Sequence, residues 1–148
     1  MAREAFIELN CICEHKEIMF LIDSLCSGGW TVFNQNKQIE YLPVGDNDNY
    51  SWQEESISYE ELRRIVELKQ ERNELVGVVL FYEGTSYGIN LLLRDLQNVL
   101  VSIDINRNRI GEARDSLTNF EWYFSKLIRI LNQDKSLSFS YKFEDILD

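Results

Sequence analysis

Three stretches of this chain place apolar side chains at every second residue. Ile7, Leu9, Cys11 and Cys13 are interleaved with Glu8, Asn10 and Ile12; Val99, Val101, Ile103 and Ile105 with Leu100, Ser102 and Asp104; Leu137, Phe139, Tyr141 and Phe143 with Ser138, Ser140 and Lys142. A period of two sends alternate residues to opposite faces of an extended strand, so all three segments are predicted as β-strands. Residues 75–82, rich in Val, Leu and Phe, form a fourth and central strand. The turn Glu83-Gly84-Thr85-Ser86 leads from it into a fifth over 87–93. The runs 75–82, 87–93 and 99–105 follow one another without intervening helices, which predicts antiparallel neighbours.

Helical repeats lie between these strands. Ile18, Leu21, Ile22 and Leu25 recur at i, i+3, i+4 and i+7 before Gly28-Gly29, predicting a helix from about His15 to Ser27. Ser58 and Glu61 have the spacing of a capping box, and Ile57 and Leu62 that of a hydrophobic staple, so a second helix starts at Ser58. It buries Leu62, Ile65, Val66 and the stem of Lys69, and fades near Asn73. Thr118 with Glu121 and Leu117 with Trp122 repeat both signals, placing a third helix from Thr118 with Phe124, Leu127, Ile128 and Leu131 inward. Residues 30–33 and 39–42 form a hairpin around Asn34-Gln35-Asn36-Lys37, closed by Pro43, and residues 44–57 are a long loop. The order is β-α-β-β-α-β-β-β-α-β: an α+β protein, one domain over residues 1–148, its mostly antiparallel sheet covered by three helices on one face.

A length of 148 residues with 45% hydrophobic side chains suffices for one substantial core. The net charge of −10 disfavours nucleic acid and anionic membranes, whose affinity comes from Lys and Arg. No apolar run approaches the roughly 20 residues needed to cross a bilayer, and the chain is expected to begin near Met1. Three cysteines, Cys11, Cys13 and Cys26, in a chain that needs no staples, point to free thiols and a reducing cytoplasm.

The charge is unevenly spread. Between Gln38 and Leu62 stand seven acids (Glu40, Asp46, Asp48, Glu54, Glu55, Glu60 and Glu61) and no Lys or Arg, with Tyr50 and Trp52 among them. Such a field steers a cationic macromolecule and repels nucleic acid. Tyr and Trp anchor protein interfaces because they bury large area with few rotors, whereas Trp30, Trp122, Phe81, Phe120, Phe124 and Phe143 fall on apolar stripes and belong to the core.

Enzyme chemistry finds no constellation. His15, the only histidine, has no positioned partner, and Cys11-x-Cys13 is too tight for a zinc knuckle. Asp46-x-Asp48-x-Tyr50 opens like a calcium loop, but Ser51 and Ile57 stand where the essential Gly and bidentate acid belong. An irregular site from Asp46, Asp48 and Glu54 is the remaining calcium geometry. No glycine-rich phosphate cradle or nucleophile elbow occurs. The expectation is a non-enzymatic domain without metal or cofactor.

In size, charge and the stretch from Gly45 to Glu61, GDNDNYSWQEESISYEE, the chain resembles the immunity proteins of bacterial toxin-immunity pairs. The resemblance implies a protein-binding inhibitor that neutralises a cognate basic toxin, such as a nuclease, by covering its active site. Asp46, Asp48, Glu54, Glu55 and Glu60 are the expected partners of Lys and Arg, with Tyr50 and Trp52 as anchors. The alternative is a sensing or adaptor domain with a small-molecule pocket lined by Tyr82, Tyr87 and Trp122.

Overall fold

The computed structural model describes residues 3–14 and 17–147. Its elements run β1 (Arg3–Ile12), α1 (Ile18–Ser27), β2 (Trp30–Thr31), β3 (Ile39–Tyr41), β4 (Gln53–Glu55), α2 (Tyr59–Glu71), β5 (Val76–Tyr82), β6 (Gly88–Asp95), β7 (Asn98–Ile105), a third helix over residues 120–131, and β8 (Ser138–Leu147). The eight strands form one sheet in the order β4-β3-β5-β6-β7-β1-β8, with β2 beside β5. Every pairing is antiparallel. This is the α+β architecture read from the sequence, with one strand added. No helix among the described residues is long and apolar enough to cross a membrane.

Alternation sets the faces. Ala5, Ile7, Leu9 and Cys11 of β1 are buried together with Val99, Val101 and Ile103 of β7 and Ile89, Leu91 and Leu93 of β6, and the register Ile7↔Val101 and Leu91↔Val101 aligns them in rows. Against this face pack Ile18, Leu21, Ile22 and Leu25 of α1 and Leu62 and Val66 of α2. Cys11, Cys13 and Cys26 are joined by no disulfide among the described residues; burial, and next to it Cys13, pushes the Cys11 thiol up to about 11. The predicted first helix begins at Ile18; His15, its expected start, lies outside the described residues. The second has the expected capping box, Ser58 accepting from the Glu61 N–H and Glu61 from the Ser58 N–H.

Three expectations are corrected. Residues 44–57 are not wholly loop, because β4 pairs with β3 through Ile39↔Glu55, Glu40↔Glu54 and Tyr41↔Gln53; a strand of Gln and Glu carries no apolar period. The predicted hairpin of residues 30–33 and 39–42 survives as the bridge Phe33↔Ile39, since the first arm pairs with β5 and the second lies between β4 and β5. The third helix is capped by Asn119, whose side chain accepts from the Trp122 N–H, and not by Thr118. Thr118 is engaged elsewhere: its hydroxyl accepts from Arg107 at 2.9 Å and its N–H donates to Asp145 at 2.9 Å. Leu117 is exposed and staples nothing. The middle of this helix, Phe124–Ile128, is a π segment. The wider turn leaves Leu127, Ile128 and Leu131 buried but turns Phe124 to the surface.

The two sheet edges differ in kind. β4 is three residues long and carries Glu54 and Glu55, a short charged edge of the sort that blocks further strand pairing. β8 is ten residues long and pairs with β1 without a break from Arg3↔Leu147 to Ile12↔Ser138.

At the centre, β5 is buried on both faces. On the side away from the helices, a Cβ at Gly77 would lie 2.6 Å from Leu42 Cδ1 and 2.9 Å from Trp52 Cη2. Gly77→Ala is expected to cost about 1–3 kcal/mol through overpacking, read as a lower urea midpoint.

Candidate functional site

The acidic segment is built inward before it faces outward. Lys69, in the last turn of α2, is 1% exposed. Its ammonium donates to the carbonyls of Leu42 at 3.2 Å, Pro43 at 2.8 Å and Asp46 at 2.8 Å. Burial lowers the Lys69 pKa, against the pull of Glu74 and Asp46. Three carbonyls on one cation reverse the chain after Pro43.

Asp46 then organises the residues beyond. Its Oδ1 accepts the N–H of Asn49 at 2.9 Å and of Tyr50 at 3.2 Å, and its Oδ2 that of Ser51 at 2.7 Å. Desolvation raises its pKa, but the backbone donors and Lys69 outweigh it and hold the carboxyl below its usual range. Asp46 is 5% exposed, so its expected place among outward acids is corrected: it is a loop organiser whose lone pairs are spent on backbone N–H groups. It holds Tyr50 at φ 54°, in the left-handed region that non-glycine residues seldom occupy. Tyr50 is displayed at the surface, 55% exposed. Trp52, by contrast, is half-buried and lies over Gly77; it anchors the loop to the sheet.

The remaining acids gather on the β3–β4 edge and its flanks. Glu40 and Glu54 stand directly opposite each other across the strands. The amide of Asn34 bridges them, donating to Glu40 at 3.3 Å and Glu54 at 3.1 Å, and Asn36 adds a bond to Glu54 at 3.3 Å. Glu55 accepts from the Tyr41 hydroxyl at 3.0 Å. Burial, and then this bond to Glu55, pushes the Tyr41 phenol up to about 12. Asp48 is exposed. Among the described ion pairs, none reaches Glu40, Asp48, Glu54 or Glu55; Glu60 meets Arg63 at 3.9 Å.

Beside this edge opens a recess of about 500 Å³ lined by Phe33, Asn34, Asn36, Glu54, Phe81 and Glu83 among others. Aromatic rings next to carboxylates suit the stem and head of a Lys or Arg side chain. Neither Phe33 nor Glu83 belongs to the acidic segment of residues 38–62. The strand pairing that brings them to one place, β2 with the end of β5, joins segments about fifty residues apart and leaves no local signal.

The residues of the alternative pocket, Tyr82, Tyr87 and Trp122, are packed on one another. Trp122 packs edge to face on Tyr82 at 5.5 Å and on Tyr87 at 5.1 Å, with Trp30 against both Tyr82 and Trp122. Among the described residues no three His, Cys, Asp or Glu side chains converge to hold a metal ion. Asp46 and Glu54, two of the acids considered for calcium, are engaged by N–H donors of the chain itself. No family model matches the chain, and neither a curated protein nor a solved structure matches it significantly.

Lys69→Met is expected to cost about 3 kcal/mol, since it strands buried carbonyls, and to loosen residues 43–52, read as faster amide exchange there. Asp46 has a depressed native pKa, so its contribution is present above the ordinary carboxyl pKa and lost as pH falls through the native value. Urea midpoints of the wild type and Asp46→Asn should therefore differ most above about pH 4 and converge in stronger acid.

Proposed function

We propose that this protein is a non-enzymatic inhibitor of the immunity class, which binds a basic toxin domain through its acidic sheet edge. Glu40, Glu54, Glu55 and Asp48 meet Lys or Arg of the toxin, Tyr50 anchors the rim of the contact, and one partner cation enters the recess between Phe33 and Phe81. Trp52 and Asp46 act from beneath by holding the loop in place.

The observation that carries this reading is the facing pair Glu40 and Glu54, bridged only by a neutral amide. Like charges directly opposed across strands destabilise a sheet. A cation delivered by a partner removes that repulsion, so the bound state regains what the free state gives up. Unpaired carboxylates at a rim also accelerate encounter with a cationic partner in a salt-dependent way.

The test has two arms. Glu54→Gln keeps the shape and the bonds from Asn34 and Asn36 but removes one of the opposed charges; the free protein should gain about 0.5 kcal/mol in urea unfolding. Immobilised wild type should retain a basic protein from lysate of the source cell, released by raised salt and identified by mass spectrometry, and E40Q/D48N/E54Q/E55Q should not retain it. Equal retention by the neutralised variant would exclude this edge as the docking surface. A captured partner that is itself acidic would exclude the electrostatic basis of the reading.

A further inference from the structure

The opposite edge of the sheet lacks the brevity and the one-sided charge that protect β4. β8 offers ten residues, no proline and no bulge, and its one Lys, Lys142, is already paired at 2.7 Å with Glu144 on the same strand. Natural edges of this length are normally shortened, bent or covered. Apolar surface continues along the strand. On the helix face Phe143 stacks on Phe120 at 4.7 Å and Tyr141 meets Phe124 edge to face at 5.8 Å. Tyr141 and Phe124 nevertheless remain 46% and 37% exposed, and Leu147 at the strand end is 42% exposed.

We propose that β8 is a dimerisation edge, pairing antiparallel with β8 of a second copy about a two-fold axis through Phe143. The strand is complementary to itself in that register. Phe143 faces Phe143 of the other copy, and Lys142 of each copy stands opposite Glu144 of the other, twice over, on the face away from the helices. On the helix face Tyr141 falls opposite Asp145 and Phe139 opposite Leu147, which covers the exposed rings. Asp145 is largely covered and already held by Arg3 at 3.4 Å and by the Thr118 N–H at 2.9 Å, so it presents no free charge to the Tyr141 ring of the other copy.

Charge also selects the occupant. The molecule carries −10, so two copies repel over most of their surfaces. Along β8, however, Lys142 balances Glu144 and Arg3 balances Asp145. A copy of this chain can approach there without a like-charge penalty, in an isologous contact that continues the sheet through both molecules with the helices on one side. The acidic β4 edges end up at the two far ends, so this inference stands apart from the proposed partner contact.

The test is a charge swap followed by sedimentation velocity from micromolar to several hundred micromolar protein at moderate salt. The wild type should reach twice the chain mass. K142E and E144K, which place like charges opposite each other, should each associate at least tenfold more weakly, with unchanged circular dichroism confirming the fold. An equimolar mixture of K142E and E144K, and the double variant K142E/E144K alone, should recover the dimer. A wild type that stays monomeric throughout overturns the proposal and leaves a foreign strand as the occupant of this edge. Single variants that dimerise as well as the wild type overturn it too, because association then uses another surface.

Discussion

A buried ammonium ion is the point on which the acidic half of this molecule turns. Among the described residues no carboxylate pairs with Lys69; it is solvated by three backbone carbonyls that the chain wraps around it. A cation taken out of water must replace its hydration shell with well-placed oxygens, and only a chain reversal at residues 42–46 supplies them. The consequences follow in order along the sequence. Asp46 is brought to where it can collect three successive N–H groups, Trp52 is laid across Gly77, and Gln53 returns to the sheet beside Tyr41. The acidic edge is thus a product of a positive charge that is hidden beneath it.

That order explains what could and could not be seen in the sequence. Elements specified by local periodicity or local capping were legible: β1 by its alternation, α2 by Ser58 and Glu61, and the central strands by their apolar runs. The burial of the Lys69 stem was also visible as helical spacing, but the three carbonyls around its head come from residues more than twenty positions away. Asp46 looked like one more surface acid because nothing in its neighbours reveals that its oxygens face backbone N–H groups. β4 was hidden because its pairing is made by the main chain, with Glu and Gln side chains that prefer no strand. At the third helix, Thr118 and Asn119 are both good caps by type. The choice fell to Asn119 because Arg107 and Asp145, remote in sequence, claim Thr118 first. Phe124 departs from the stripe for a different reason: it opens the π segment, whose extra residue breaks its 3.6-residue phase with Leu127, Ile128 and Leu131.

The candidate site therefore divides into residues that display and residues that support. Tyr50, Asp48, Glu54 and Glu55 are at the surface; Asp46 and Trp52 hold the surface in shape. Tyr50 in a left-handed backbone and Glu40 facing Glu54 are both local choices that oppose stability. Conflicts of this kind between local preference and fold tend to gather where a protein does its work. Here two of them fall within one edge and its adjoining loop.

The brevity of β4 has a consequence beyond the surface it makes. A β-sheet with two adhesive borders is a monomer unit for a fibril, because each addition recreates the site for the next. In this fold one border is terminated by carboxylates, so edge-to-edge growth has only one direction in which to start and nowhere to continue once a pair has formed. The acids of this edge thereby also act as chain terminators for the molecule's own polymerisation.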